Sequence, residues 1–93
     1  NYHAWSRAMK LALSSKNKLI FVNGSIIAPH ENDPKYAAWE RCNMMVLSWI
    51  HRSIADSIVQ SILWIDKAYE VWEDLKDRFS QYDIFRIADL QED

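Results

Sequence analysis

Three histidines, one cysteine and a file of carboxylates are the side chains of this 93-residue chain whose types could do chemistry. His3, His30 and His51 could exchange protons and Cys42 could act as a thiolate. Glu70, Glu73, Asp74 and Asp77 could share a proton or hold a cation if a site gathered them. Their spacing builds no such site. The histidines fall on polar helix faces or in a loop with no nucleophile or carboxylate set beside them, and the acidic file reads as a solvated strip. Within it, Glu73–Lys76 and Asp74–Arg78 are at pairing distance along a helix, worth roughly 0.2–0.5 kcal/mol each. Cys42 excludes an internal disulfide or a multi-cysteine zinc site, and its place on an apolar helix side marks an inert thiol. Arg7, Lys10, Lys16 and Lys18 form a modest basic patch, the candidate for weak RNA contact, although such a face is ordinarily just solvated. No enzyme, metal or cofactor is expected.

The elements that carry these residues are helical. Five Trp, four Tyr and three Phe supply apolar area, while one Gly and two Pro leave little turn chemistry for a sheet. The fold class is therefore all-α, a small bundle of about four to five helices in a single domain over residues 1–93. Net charge is −2 but divided: residues 1–53 carry seven Lys/Arg against three Asp/Glu (+4), and residues 54–93 carry four against ten (−6). Opposite halves attract, within one chain or between copies. No apolar run approaches about 18 residues and no charged-then-apolar leader is present, so nothing spans a membrane and a cytoplasmic location is expected. The start at Asn1 without Met marks an expected piece of a longer protein.

Residues 33–53 read as the central helix, with Asp33 as N-cap and Pro34 at the first helical position. Tyr36, Trp39, Cys42, Val46, Trp49, Ile50 and Ser53 share one side, Met45 and Leu47 border it, and Glu40, Arg41, Ser48, His51 and Arg52 lie opposite. Asn43 falls inside the apolar arc, so it needs hydrogen-bond partners and is expected to tie this helix to a loop or a neighbouring helix end.

Before it, residues 1–15 are amphipathic: Tyr2, Trp5, Ala8, Met9, Ala12 and Leu13 face one way, and His3, Ser6, Arg7, Lys10 and Ser14 the other. Between the two helices, Asn23-Gly24 flanked by apolar residues predicts a short hairpin or an ordered loop. After the central helix, Ser53 to Asp56 resembles a capping box and restarts a helix over residues 54–65. Ile54, Ala55, Ile58, Val59, Ile62, Leu63 and Ile65 fill one half of it. Trp64 falls on its polar side, either covered by the following turn or exposed to a partner. Asp66 is the next N-cap, opening a helix over residues 67–80 with Ala68, Val71, Trp72, Leu75 and Phe79 for burial. Residues 81–93 carry Ile84, Phe85, Ile87 and Leu90 on a narrow face that starts a further helix, packed on the domain or against another copy.

Several runs go further than periodicity. Asn1-Tyr-His-Ala-Trp5-Ser-Arg-Ala-Met9, Lys16-Asn-Lys-Leu19, Phe21-Val-Asn-Gly-Ser-Ile26, Trp39-Glu-Arg-Cys-Asn43 and Ser48-Trp-Ile50 occur in order. Ile58, Ser61-Ile62, the Trp72, Leu75, Phe79-Ser80 spacing, Phe85-Arg-Ile87 and Leu90-Gln91 follow. This series resembles the N-terminal Gag (capsid-forming) part of copia-type LTR retrotransposon polyproteins, particularly those of plants. Ile20 stands where many relatives have Gly, and Asn23 where they have Asp. The resemblance implies a structural, non-enzymatic chain that self-associates into a capsid or virus-like particle, with itself as principal partner and other Gag regions or a host protein as further ones. The zinc knuckle associated with RNA binding in relatives is absent from these residues. A host-adopted Gag-like adaptor that holds a partner peptide and a weak nucleic-acid-binding module are the alternatives.

Core positions are expected at Trp5, Met9, Trp39, Cys42, Val46, Trp49, Ile58, Ile62, Trp72, Leu75 and Phe79, all on apolar helix faces. Candidates for self-association are apolar residues that a core does not need. Met44 sits between Glu40 and Ser48 on a polar sector, Trp64 on a polar side, and Phe85 and Ile87 on the narrow terminal face.

Overall fold

Helix α1 spans Tyr2–Ser15 and is closed at both ends by its own sequence. The Asn1 side-chain oxygen accepts the Ala4 N–H at 2.8 Å, a one-residue N-cap. At the other end Asn17 adopts a positive φ of 58°, the Lys18 N–H donates to the Leu13 carbonyl, and the Asn17 N–H donates to that of Ser14. That pairing is a Schellman closure, with Asn in the position usually held by Gly. The computed structural model describes residues 1–80, so the expected terminal helix, with Phe85 and Ile87, lies outside the described residues.

The loop alternative, not the hairpin, follows α1. Leu19–Phe21 wind into one turn of 3-10 helix, and the N–H groups of Phe21, Val22 and Asn23 donate back to Lys18 and Leu19 carbonyls. Donors spent locally are not available to a strand ladder, and no strand occurs among the described residues. The Asn23 side chain accepts the Ser25 N–H at 2.9 Å, an Asx-turn, and Gly24 takes φ 83° beneath the Tyr69 ring. A Cβ at position 24 would stand 3.3 Å from Tyr69 Cε1. Gly24→Ala is accordingly expected to cost about 1–2 kcal/mol in denaturant unfolding, because the left-handed backbone remains strained even if the ring yields.

Helix α2 runs Tyr36–Arg52, later than Asp33 and Pro34 predict. The Asp33 carboxylate accepts the Lys35 N–H and its carbonyl accepts that of Tyr36, so Asp33 organises a separate turn and Lys35 becomes the cap. The restart at Ser53 is also overturned. The Ser53 hydroxyl donates to the Ile50 carbonyl at 2.8 Å and accepts the Trp5 indole N–H at 2.9 Å, so it is not free to cap a following helix. Helix α3 is therefore only Asp56–Ile62, with Ala55 extended before it. Helix α4 covers Ala68–Leu75 and continues as one π-turn over Lys76–Ser80 that packs against α1.

Asp66 does not cap α4 through its side chain, since the capping is done across the bundle. Asn43 in α2 is 3% exposed; its amide donates to the Asp66 carbonyl at 2.7 Å and its oxygen accepts the Ala68 N–H at 2.8 Å. The buried amide thus satisfies an otherwise unpaired donor at the start of α4, as its place in the apolar arc of α2 requires.

Around this tie lie the buried side chains Met9, Leu13, Phe21, Val22, Val46, Leu47, Ile50, Ile62, Ile65, Val71, Trp72 and Leu75. Trp5, Trp39, Cys42, Trp49, Ile58 and Phe79 are half-buried and packed against that cluster. The helical projection placed Ser6 on the polar side, but it is buried, because α1 is flanked by α2 at Ser53 and by α4 at Trp72. Met45, at the border of the apolar arc, is largely exposed, whereas Leu47 on the opposite border is buried.

Candidate functional site

The chemically capable side chains stay dispersed. His3 and His30 are exposed and Cys42 is a half-buried free thiol. His51, in the last turn of α2, is half-buried with its Nε2 enclosed and without a hydrogen-bond partner. Within the acidic strip, Asp74 is held by Arg78 at 2.9 Å, and the same guanidinium donates to Ser61 Oγ at 2.9 Å. Arg78 thereby braces the end of α4 against the end of α3. No group of three His, Cys, Asp or Glu among the described residues could hold a metal ion.

Two phenols respond to this environment. Burial raises the Tyr2 pKa, opposed by a hydrogen bond with Ser6 and reinforced by the Glu73 and Asp77 carboxylates. Tyr36 is raised chiefly by its hydrogen bond to Glu40, 3.1 Å away.

The basic patch is partly used within the molecule. The Lys16 amine lies 5.5 Å from the centroid of the Trp49 ring, and the Lys18 amine donates to the Lys16 carbonyl at 3.4 Å. Arg7 and Lys10 are exposed on α1.

A different surface gathers. Helix α3 ends at Ile62, the Ile65 N–H donates to the Ile62 carbonyl, and the chain turns inward so that Ile65 is buried. That tight turn forces the two residues between them outward: Leu63 is 53% and Trp64 77% exposed. The reading that covers Trp64 with the following turn is overturned, because the turn is too short to fold over the indole. Met44, 51% exposed on α2, joins Leu63 on the wall of one groove, about 530 Å³ in volume, whose other walls include Leu47, Val59 and Ile65. Leu63 is the member that periodicity missed, since it belongs to the apolar half of a longer helix; the early end of α3 puts it outside. A second hollow is lined by Phe21, Ile26, Ala28, Trp39 and Cys42, with Ile27 standing 88% exposed at its edge.

The N-terminal third of this framework is also where the sequence is similar to a known family. Residues 1–30 match the Gag-polypeptide of LTR copia-type. The match covers α1, the 3-10 turn and the Asn23-Gly24 turn, so the resemblance to copia-type Gag is borne out over that stretch. It supports a structural, Gag-related role for the chain. No curated protein and no solved structure matches the sequence. No helix among the described residues is long and apolar enough to cross a membrane.

Proposed function

We propose that this chain is a structural, non-enzymatic self-association domain of a copia-type Gag-like protein, contributing to capsid or virus-like particle assembly. The observation that carries the reading is the exposed apolar surface of Met44, Leu63 and Trp64, on a chain whose first residues match Gag. Isolated exposed apolar side chains are ordinary; Met44 and Leu63 share the wall of one groove, and Trp64, next to Leu63 in the chain, adds a largely exposed indole that water solvates poorly. The +4 and −6 halves of the chain add an attraction that acts between copies as well as within one.

The test is absolute mass by light scattering behind a sizing column, over about a hundredfold range of concentration and at low and high salt. A concentration-dependent dimer or larger species that persists in high salt is expected for apolar association, because screening weakens charge pairs and leaves apolar burial intact. A monomer under every condition would overturn the reading. A partner-binding adaptor is the second reading, favoured by the hollow beside Trp39 and Ile27, which offers apolar walls to a peptide.

A further inference from the structure

We propose that Asn23 is a site of spontaneous covalent modification: in the folded chain its side-chain amide closes on the Gly24 backbone nitrogen as a succinimide, which water opens to aspartate or isoaspartate. Sequence position, exposure and hydrogen bonding at the turn after the 3-10 helix all favour that ring closure.

Asn23 stands before the one glycine of the chain, whereas Asn1, Asn17, Asn32 and Asn43 precede Tyr, Lys, Asp and Met. With no side chain on Gly24, nothing on that residue shields its nitrogen from the neighbouring amide. Both residues are exposed, and the Gly24 N–H has no hydrogen-bond acceptor among the described residues, so its proton is open to solvent. The Ser25 N–H donates to Asn23 Oδ1 at 2.9 Å. That bond turns the side chain toward the C-terminal side of Asn23, where Cγ and the Gly24 nitrogen close the succinimide ring with less conformational search. It also sets a donor on the oxygen that becomes negative during attack, within the roughly 2.7–3.1 Å at which an oxyanion is stabilised.

Hydroxide removes the Gly24 amide proton, and the nitrogen pair bonds to Asn23 Cγ while the carbonyl pair moves to Oδ1. Its return breaks the bond from Cγ to Nδ2, which takes a proton from water and leaves as ammonia. Water then adds to one of the two ring carbonyls. Breaking the bond from Cγ to the Gly24 nitrogen leaves aspartate; breaking the main-chain bond to that nitrogen leaves isoaspartate, with a methylene added to the backbone. Water is the sole co-reactant, and nothing is oxidised or reduced. Aspartate keeps an acceptor for the Ser25 N–H, so the turn persists with an added negative charge. Isoaspartate lengthens the chain beneath the Tyr69 ring, and Gly24 and Tyr69 line one hollow with Phe21, Ile27 and Trp39. The modification thereby reshapes that hollow.

The test incubates the full 93-residue chain at neutral pH and physiological temperature, folded in buffer and unfolded in urea, with the folded sample checked by helical circular dichroism. Mass spectrometry of the tryptic peptide covering residues 19–35 reads the replacement of an amide nitrogen by oxygen, and fragmentation separates Asn23 from Asn32. Conversion at Asn23 is expected to be at least as fast in the folded chain as in the unfolded one, and at least about tenfold faster than at Asn32. Asn23→Gln, whose longer side chain has to close a larger ring, is expected to fold normally and to lose the mass gain at position 23. Chains carrying isoaspartate, separated by ion exchange, are expected to unfold at lower urea than those carrying aspartate. Slower conversion of Asn23 in the folded chain than in the unfolded one, or a mass gain that maps to Asn32 instead, overturns the proposal.

Discussion

Trp72→Ala is expected to destabilise the domain by about 3–5 kcal/mol, so that the chain loses its cooperative denaturant transition or melts near ambient temperature. Trp72 lies on α4 at 5% exposure, and its ring centroid is 5.3 Å from that of Trp5 at an interplanar angle of 32°. Trp5 in turn donates its indole N–H to Ser53 beyond the end of α2. One truncation therefore empties the space between α1 and α4 and loosens the ring that ties α1 to α2. A domain with a total stability on the order of 5–15 kcal/mol has little reserve against that loss. Trp72→Phe, which keeps a ring in the space, is expected to cost less than half as much. Trp64→Ala, at a ring that touches little of the core, is expected to leave the unfolding midpoint nearly unchanged. Equal midpoints for Trp72→Ala and the parent would show that the aromatic contact between α1 and α4 is not structural.

Asn43→Ala is the second large effect, expected at about 2–4 kcal/mol. The loss is more than two hydrogen bonds. It strands the buried Ala68 N–H at the first position of α4 and the Asp66 carbonyl before it. Asn43→Asp separates the two roles: the carboxylate still accepts from Ala68 but cannot donate to Asp66 while ionised, so repulsion replaces one bond. Its stability is expected to fall as pH rises through the carboxyl pKa, since the protonated form recovers a donor. Urea unfolding of both variants at neutral pH, and of Asn43→Asp at acidic pH, measures the tie directly. A neutral Asn43→Ala would mean that α4 starts without help from α2.

Asn43 also shows how much of the molecule is legible before folding. Its polar amide inside an apolar arc requires partners, and the unpaired backbone groups of a loop or a neighbouring helix end are a ready source of them. The partner itself is not legible, because Asp66 and Ala68 become neighbours only when α2 and α4 pack. The early end of α3 is a similar case. Ser53, Ile54 and Asp56 carry a capping pattern, but Trp5, far away in sequence, takes up the serine hydroxyl, and the helix begins at Asp56 instead. Once α3 is short, Leu63 and Trp64 are outside, and the candidate surface follows from a helix boundary that local propensity misplaces.

By itself, the sequence determined the all-α class, the approximate places of the helices, the ordered turn at Asn23-Gly24 and the Gag resemblance, which is borne out over residues 1–30. These depend on periodicity, on scarce Gly and Pro, and on short runs, all of which are local. The tertiary structure alone decided which partners Trp5, Asn43 and Arg78 found, where α3 and α4 begin, and which apolar residues the core left over. Polar groups bond to whatever partner packing brings within about 3 Å, and for Trp5, Asn43 and Arg78 that partner lies 17 to 48 residues away in the chain.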